Sequence, residues 1–142
     1  MDQDIIRGAD AVALFCRIQM NTKKNLPIRS SEMGVLFYTH TEDEPVTPLR
    51  ISEYFKITKP AVTVMVNVLV KKGYLIKVPS SVDRRSYAVL TTDKGDQLVG
   101  AAYKEYFKSM ELLNRQMGSK EFLQLISLIE RANKLLSEVN EK

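Results

Sequence analysis

The fold is decided by residues 47–91, which read TPLRISEYFKITKPAVTVMVNVLVKKGYLIKVPSSVDRRSYAVLT. A threonine is followed by proline at Thr47-Pro48, and Thr58-Lys59-Pro60 repeats the pattern a few residues later. A capping hydroxyl followed by proline in the first turn is typical of a helix N-terminus. The stretch therefore predicts two short helices in tandem, the first ending near residue 55 and the second covering 59–72.

A β-hairpin is predicted directly after these helices. Gly73 ends the second helix, and β-type runs of apolar residues follow at 75–78 and 87–91. The polar segment 79–86 between them has the composition of a hairpin loop. Two capped helices followed by a hairpin make a helix-turn-helix with a wing, which we expect to occupy about 30–92.

Further helices are predicted on both sides of this unit. Apolar residues recur at helical spacing near both ends of the chain, and the last helix is apolar over more than the ~100° stripe that covers one core. A second copy of the chain is the simplest cover for the remaining face. The expected fold is mainly α with a small β-hairpin wing: a winged helix-turn-helix flanked by dimerisation helices, at about 4–20 and 93–139, in a single domain 1–142.

Composition excludes several classes of protein. The chain has 142 residues, of which 44% are hydrophobic and 27% charged, as in a globular domain. No apolar run approaches the ~20 residues that span a bilayer, and the acidic start Met1-Asp2-Gln3-Asp4 is unlike a secretory signal. One cysteine and one histidine give neither a disulfide nor a thiolate–imidazole metal cluster. We therefore expect a cytoplasmic protein with no membrane partner, metal or other cofactor.

Positive charge is concentrated in the middle of the chain. Residues 56–95 hold eight lysines and arginines against two acidic residues, Asp83 and Asp93, although the whole chain has a net charge of only +4. Such clustering is the electrostatic footprint of a nucleic-acid surface, and its alternative is a solvated face without a partner.

The wing segment carries a family resemblance. Asp83-Arg84-Arg85-Ser86, followed by Leu90-Thr91 and then Gly95, resembles the wing signature of the MarR family of bacterial transcriptional regulators. The segment from Thr58 to Leu75 is similar to the family's recognition helix and the exit from it. Element order and length also agree, so the resemblance covers essentially the whole chain. It implies a homodimeric DNA-binding transcription regulator, acting as a repressor that a small phenolic or amphipathic effector releases.

The DNA-contacting residues are expected in two places. A helix in the major groove reads base edges near its N-terminal end, and a basic hairpin tip reaches the adjacent minor groove. By resemblance, Arg85 enters the minor groove and Asp83 steers it, while Arg84 and Ser86 contact the backbone or support the wing. The recognition-helix candidates, each with a plain exposed helix face as its alternative, are Thr58, Lys59, Ala61, Thr63, Val64 and Asn67.

Two positions depart from the family pattern. Family recognition helices often carry arginine where this chain has Val64 and Val68. Valine offers no hydrogen bond, so Val64 can at most contact a thymine methyl group. We expect shallower base specificity and a larger share of the affinity from the wing and from phosphate contacts.

Candidate regulatory residues lie outside the recognition helix. The resemblance places an effector between the dimerisation helices and the winged domain, where Arg17, Tyr38 and His40 are candidates, and a surface or satisfied role is the alternative for each. Cys16 is a candidate redox sensor, because one branch of the family senses peroxide through a cysteine in its first helix. Its register with Ile5, Ala9 and Val12 favours instead a buried structural cysteine. The aromatic residues Tyr103, Tyr106 and Phe107 are expected in dimer packing rather than in a ligand stack.

No enzyme is expected from this sequence. A single histidine cannot be placed in a nucleophile–histidine–acid set from the sequence, and no glycine-rich phosphate loop is present. The expected partners are double-stranded DNA with a pseudo-palindromic operator and a second copy of the chain. The alternatives are redox regulation through Cys16 and a winged-helix protein-interaction module that binds DNA weakly.

Overall fold

The structure, a computed structural model, describes residues 1–21, 25–82 and 85–140. It contains helices and one hairpin in the predicted order, with boundaries within two residues of the expected ones, so the predicted fold class is confirmed. The elements are α1 Gln3–Asn21, α2 Ser30–Thr41, α3 Pro48–Phe55, α4 Lys59–Lys71, β1 Leu75–Pro79, β2 Tyr87–Thr91, α5 Asp93–Met117 and α6 Ser119–Asn140.

The chain divides into two compact units. The first unit contains residues 1–22 and 106–142, and the second contains residues 23–105. The second unit holds α2, α3, α4, the hairpin and the first half of α5. It contains the helix-turn-helix and the hairpin, and it extends beyond the segment about 30–92 on both sides.

The two helices of the helix-turn-helix begin where the threonine–proline pairs predict. Thr47 caps α3 by accepting the N–H of Arg50 at 3.3 Å, and Thr58 caps α4 by accepting the N–H of Ala61 at 3.3 Å. Lys56 follows α3 in the left-handed region, with φ 56°, and turns the chain toward α4. The capped ends satisfy backbone donors that a helix otherwise leaves unpaired.

The hairpin is antiparallel and attached to the segment before α3. β1 pairs with β2 in a register that runs from Leu75 opposite Thr91 to Pro79 opposite Tyr87. Val46 extends the pairing, because its N–H donates to the Val89 oxygen at 3.0 Å and the Val89 N–H donates back at 2.8 Å. The base of the wing is thereby joined to the start of the helix-turn-helix.

The core of the second unit fixes the orientation of α4. One face of α4 is completely buried, and it packs in a core to which α2, α3 and the hairpin also contribute fully buried side chains. Burial of this apolar surface is the main stabilising contribution to such a domain. The largest buried side chains of the unit are Met33, Val35, Leu36, Val46, Ile51, Val62, Val66, Leu69, Leu75 and Val89.

The chain leaves α4 through a tight turn. Gly73 has φ +86°, a conformation that side chains with a Cβ rarely adopt, and the Tyr74 N–H donates to the Leu69 oxygen at 2.9 Å. The Thr92 hydroxyl donates to the Gly73 oxygen at 2.6 Å and accepts the N–H of Gly95 at 3.0 Å. The exit of α4 and the beginning of α5 are therefore held by one threonine.

The first unit is helical and exposes many apolar side chains. Ser109 of α5 donates from its hydroxyl to Oε1 of Gln19 of α1 at 2.6 Å. In the single chain, every described apolar side chain of α6 is half-buried or exposed, and Leu136 is 65% exposed. Among the described residues, no helix is long and apolar enough to cross a membrane.

Candidate nucleic-acid interface

Helix α4 exposes the side that sequence reasoning assigned to DNA. Val62, Val66 and Leu69 are fully buried, so the opposite side faces outward. Thr63, Val64 and Asn67 share one exposed face because positions three and four apart are neighbours on a helix. Of the predicted recognition residues, Ala61 is half-buried and the others are exposed, namely Thr58, Lys59, Thr63, Val64 and Asn67.

The N-terminal end of α4 is an exposed, positively polarised helix end. The Thr58 hydroxyl oxygen accepts one of the backbone N–H groups at this end, that of Ala61. Lys59, the first residue of the helix, adds a positive charge. The partial positive charge of a helix N-terminus favours anions such as phosphate. This end of α4 is therefore suited to binding an anion such as a nucleic-acid phosphate.

The hydroxyl of Thr63 is oriented by its own helix. It donates to the Lys59 carbonyl oxygen at 3.1 Å, one turn earlier. Because the hydroxyl proton is engaged, the Thr63 oxygen faces outward as an acceptor. It can accept a hydrogen bond from an amino group of a base.

Asn67 is bound to the wing through a lysine that sequence reasoning missed. The Lys77 ammonium donates to Oδ1 of Asn67 at 3.0 Å and lies 4.5 Å from the centre of the Tyr87 ring. Burial raises the pKa of Tyr87 above its usual value. The only sequence signal for this contact is a lysine inside an otherwise apolar strand directly after the recognition helix.

The two valines at the positions where the resemblance leads us to expect arginine line a groove. Val64 and Val68 form one wall of it, and residues 26–29 before α2 contribute to the other. Lys71 and Lys72 stand at its end, where the Lys72 ammonium donates to the Pro27 oxygen at 3.4 Å. Both valines therefore present apolar surface to the groove, and its positive charges come from Lys71 and Lys72.

The wing is described only in part. Asp83 and Arg84 lie outside the described residues, so the expected steering of Arg85 by Asp83 stays a prediction. Arg85 and Ser86 are exposed, and the Ser86 oxygen accepts the N–H of Ser80 at 3.3 Å across the base of the loop. Arg85 is thus placed on an exposed loop, as the wing prediction requires.

The three effector candidates are placed differently. Tyr38 stacks on Tyr54 of α3, with ring centres 4.3 Å apart. His40 faces α5, where its Nδ1 lies 2.8 Å from Oδ1 of Asp96, and this hydrogen bond is the main cause that lowers the pKa of Asp96. Arg17 is exposed on α1 and belongs to the other compact unit. Tyr38 therefore contacts α3, and His40 contacts α5.

The expected burial of Cys16 is wrong for the single chain. Its thiol is exposed, although Ile5 and Val12 on the same register are apolar as predicted. The reason is that the apolar side chains of α1 on this face are themselves exposed, so the face is not buried against another element of the single chain. Within the described residues, no three His, Cys, Asp or Glu side chains are arranged to hold a metal ion.

Taken together, this geometry defines a winged helix-turn-helix protein. In the comparison with protein families, residues 26–86 match the model of the MarR family, and this segment includes α2, α3, α4 and the hairpin up to Ser86. The family resemblance inferred from the wing motif is confirmed over this segment, which contains most of the winged helix-turn-helix.

Solved structures show the same fold over the full chain. A MarR/EmrR family transcriptional regulator from Acinetobacter sp. ADP1 is 22% identical, with a TM-score of 0.75 and 100% of both chains covered. A MarR transcriptional regulator from Methanosarcina mazei Go1 is also 22% identical, with a TM-score of 0.75 and coverage of 97% and 99%. Streptococcus pneumoniae FabT, solved in complex with DNA, is 25% identical, with a TM-score of 0.72 and coverage of 97% and 99%. No curated protein sequence matches the chain significantly.

Proposed function

We propose that this chain binds double-stranded DNA sequence-specifically as a homodimer and represses transcription by occluding a promoter. The observation that carries the proposal is the two-sided character of α4. Val62, Val66 and Leu69 anchor it in the core, while its capped N-terminus and the face of Thr63 and Asn67 are exposed. A helix held in this way can enter a major groove without losing its packing.

Charge around α4 supports DNA as the partner. Lys56, Lys59 and Lys77 are exposed on or beside the helix, and Arg85 is exposed on the wing. Lysines and arginines in such positions neutralise phosphates, and each neutralised phosphate releases counterions. The similar fold of FabT, which was solved with DNA, supports the same partner for this chain.

The proposed dimer uses the first compact unit. Its helices expose apolar side chains that in water favour burial against a second copy, and they include Leu123, Leu128, Leu135, Leu136 and Val139 of α6. A two-fold dimer presents two copies of α4. The operator is then a pseudo-palindrome with half-sites about 10–10.5 base pairs apart.

Release of DNA by a small phenolic or amphipathic effector completes the proposed function. Arg17 is the candidate for pairing with an effector carboxylate, since a guanidinium binds that group with two parallel hydrogen bonds. Tyr38 and His40 are candidates on α2, where an effector would have to compete with their contacts to Tyr54 and Asp96. A ligand that displaces the His40 contact would act on the junction of α2 with α5.

Selection of bound duplexes from a random DNA library tests the proposal. The full chain is used at near-physiological salt, and we expect enrichment of an inverted repeat with the stated spacing. Binding to that repeat should fall by about 10³–10⁵ between 50 and 200 mM salt if six to ten phosphates are neutralised. Recovery of unenriched DNA, with weak binding that is indifferent to sequence, would overturn the proposal and favour a protein-interaction module.

A further inference from the structure

A hydrogen bond from Lys77 connects the wing to Asn67 on the exposed face of α4. We propose that Lys77 is a positioning residue that sets base preference, because it fixes the side-chain amide of Asn67 with the NH2 group outward. Asn67 then selects guanine or thymine at one position of each half-site. The inference rests on the proposed function, since it concerns how the same helix reads DNA.

The chemistry of the contact determines the orientation of the amide. The Lys77 ammonium has donors only, so the Asn67 atom 3.0 Å from it must be the carbonyl oxygen Oδ1. The amide nitrogen Nδ2 consequently points away from Lys77. An exposed asparagine without such a partner can rotate its amide by half a turn and present either end.

Lys77 is itself held in place by the hairpin. In the register of the sheet Lys77 is opposite Val89, and Tyr87 is two residues from Val89 on the same face of β2. The ammonium lies 4.5 Å from the Tyr87 ring centre, where the negative face of the ring attracts a cation. The lysine therefore has a cation–π contact on one side and the Asn67 oxygen on the other.

Asn67 lies on the part of α4 that faces the bases. It follows Thr63 by one helical turn and Val64 by three residues, and all three side chains are exposed on one face. Val64 offers no hydrogen bond, and the Thr63 hydroxyl proton is engaged with Lys59. Of these three side chains, Asn67 is therefore the one that offers a hydrogen-bond donor, through its NH2 group.

The fixed amide changes which base is recognised. A freely oriented asparagine pairs with adenine through two bonds, in which Oδ1 accepts from N6 and Nδ2 donates to N7. With Oδ1 directed at Lys77, adenine keeps only the bond from Nδ2 to its N7 and its N6 amino group loses its acceptor. The outward donor is matched better by guanine, which presents two acceptors (O6 and N7), and by the O4 of thymine. The amino group of cytosine offers only donors and is disfavoured.

Two substitutions test the inference through the bases selected from a random library. Lys77→Met retains a long apolar side chain and releases Oδ1, so adenine should increase relative to guanine and thymine at one position per half-site. Asn67→Asp replaces the donor by an acceptor, so that position should change to cytosine or adenine. We expect each change in base ratio to be about tenfold, in the range that one good base contact provides.

Lys104→Met is the matched control, because Lys104 is an exposed lysine on α5 and its loss removes the same charge. It should leave all base ratios unchanged. Identical base ratios for wild type, Lys77→Met and Asn67→Asp would overturn the inference, even when the variants bind more weakly. Failure of the wild-type chain to enrich any repeat is a different result, which overturns the proposed function itself. Circular dichroism and thermal unfolding verify that each variant is folded.

Discussion

Nδ1 of His40 lies 2.8 Å from Oδ1 of Asp96, so a hydrogen bond joins the last turn of α2 to the first turn of α5. This bond is the largest cause of the lowered pKa of Asp96, and a hydrogen bond from the Thr91 side chain is the next. A carboxyl whose pKa is lower in the folded state stabilises the protein above its unfolded pKa. That contribution is lost as pH falls through the folded pKa.

The variant His40→Ala should therefore have a smaller dependence of stability on acidic pH. We expect the difference in unfolding free energy between wild type and variant to be largest near neutral pH and to shrink from about pH 5 downward, as Asp96 is protonated. Urea unfolding at several pH values measures this. Thr91→Val should produce a weaker effect of the same sign. A difference that stays constant across this range would contradict the assignment.

A second prediction concerns the close approach of α5 to the turn after α4. A Cβ at Gly95 would overlap the carbonyl oxygen of Tyr74, which accepts the N–H of Thr92 at 3.1 Å and cannot move without breaking that bond. Gly95→Ala should lower the unfolding free energy by about 1–3 kcal/mol, as overpacking typically does. Thermal or urea unfolding gives the value.

Gly100 provides the matched control on the same helix. Among the described residues of the single chain, no atom lies within 4 Å of the position that a Cβ would take there. Gly100→Ala should stabilise the protein by up to about 1 kcal/mol, because alanine favours helix more than glycine does. If both alanine variants were equally stable, the close contact at Gly95 would have no energetic importance.

Local signals explain how much of the fold could be predicted from the sequence. Thr47 and Thr58 cap helices through hydrogen bonds to residues only three positions away, so the sequence alone identifies them. The spacing of Val62, Val66 and Leu69 likewise identifies the buried face of α4. These features depend on short stretches of chain, and the structure agrees with them.

Contacts between separate elements could not be predicted in this way. The bond from Lys77 to Asn67 depends on where the hairpin packs against α4, and no spacing rule indicates it. For Cys16 the apolar register was identified correctly, but a pattern in one helix does not show what covers that face. The exposed Cys16 thiol is the consequence.

The proposed dimer gives a third prediction. Leu136 is 65% exposed near the middle of the broad apolar side of α6. Leu136→Glu should convert the dimer to monomer, because a carboxylate buried in an apolar interface without a partner is strongly unfavourable. Sedimentation equilibrium measures the assembly state. Ser127→Glu, on the polar side of α6, is the control and should remain dimeric. A monomeric wild-type protein at micromolar concentration would exclude the proposed interface.

The last prediction concerns the wing. Arg85 is exposed on the hairpin loop, and an arginine inserted in a narrow minor groove gains from the strong negative potential of A·T-rich DNA. Arg85→Ala should weaken binding to the selected operator by about 10- to 100-fold and reduce the preference for A·T pairs flanking each half-site. Arg131→Ala removes an equal charge from the polar side of α6 and should have little effect. Arg85→Lys keeps the charge but loses the planar guanidinium, so it should restore the salt dependence without restoring the A·T preference. Unchanged operator binding by Arg85→Ala in a fluorescence titration would remove the wing from the binding mechanism.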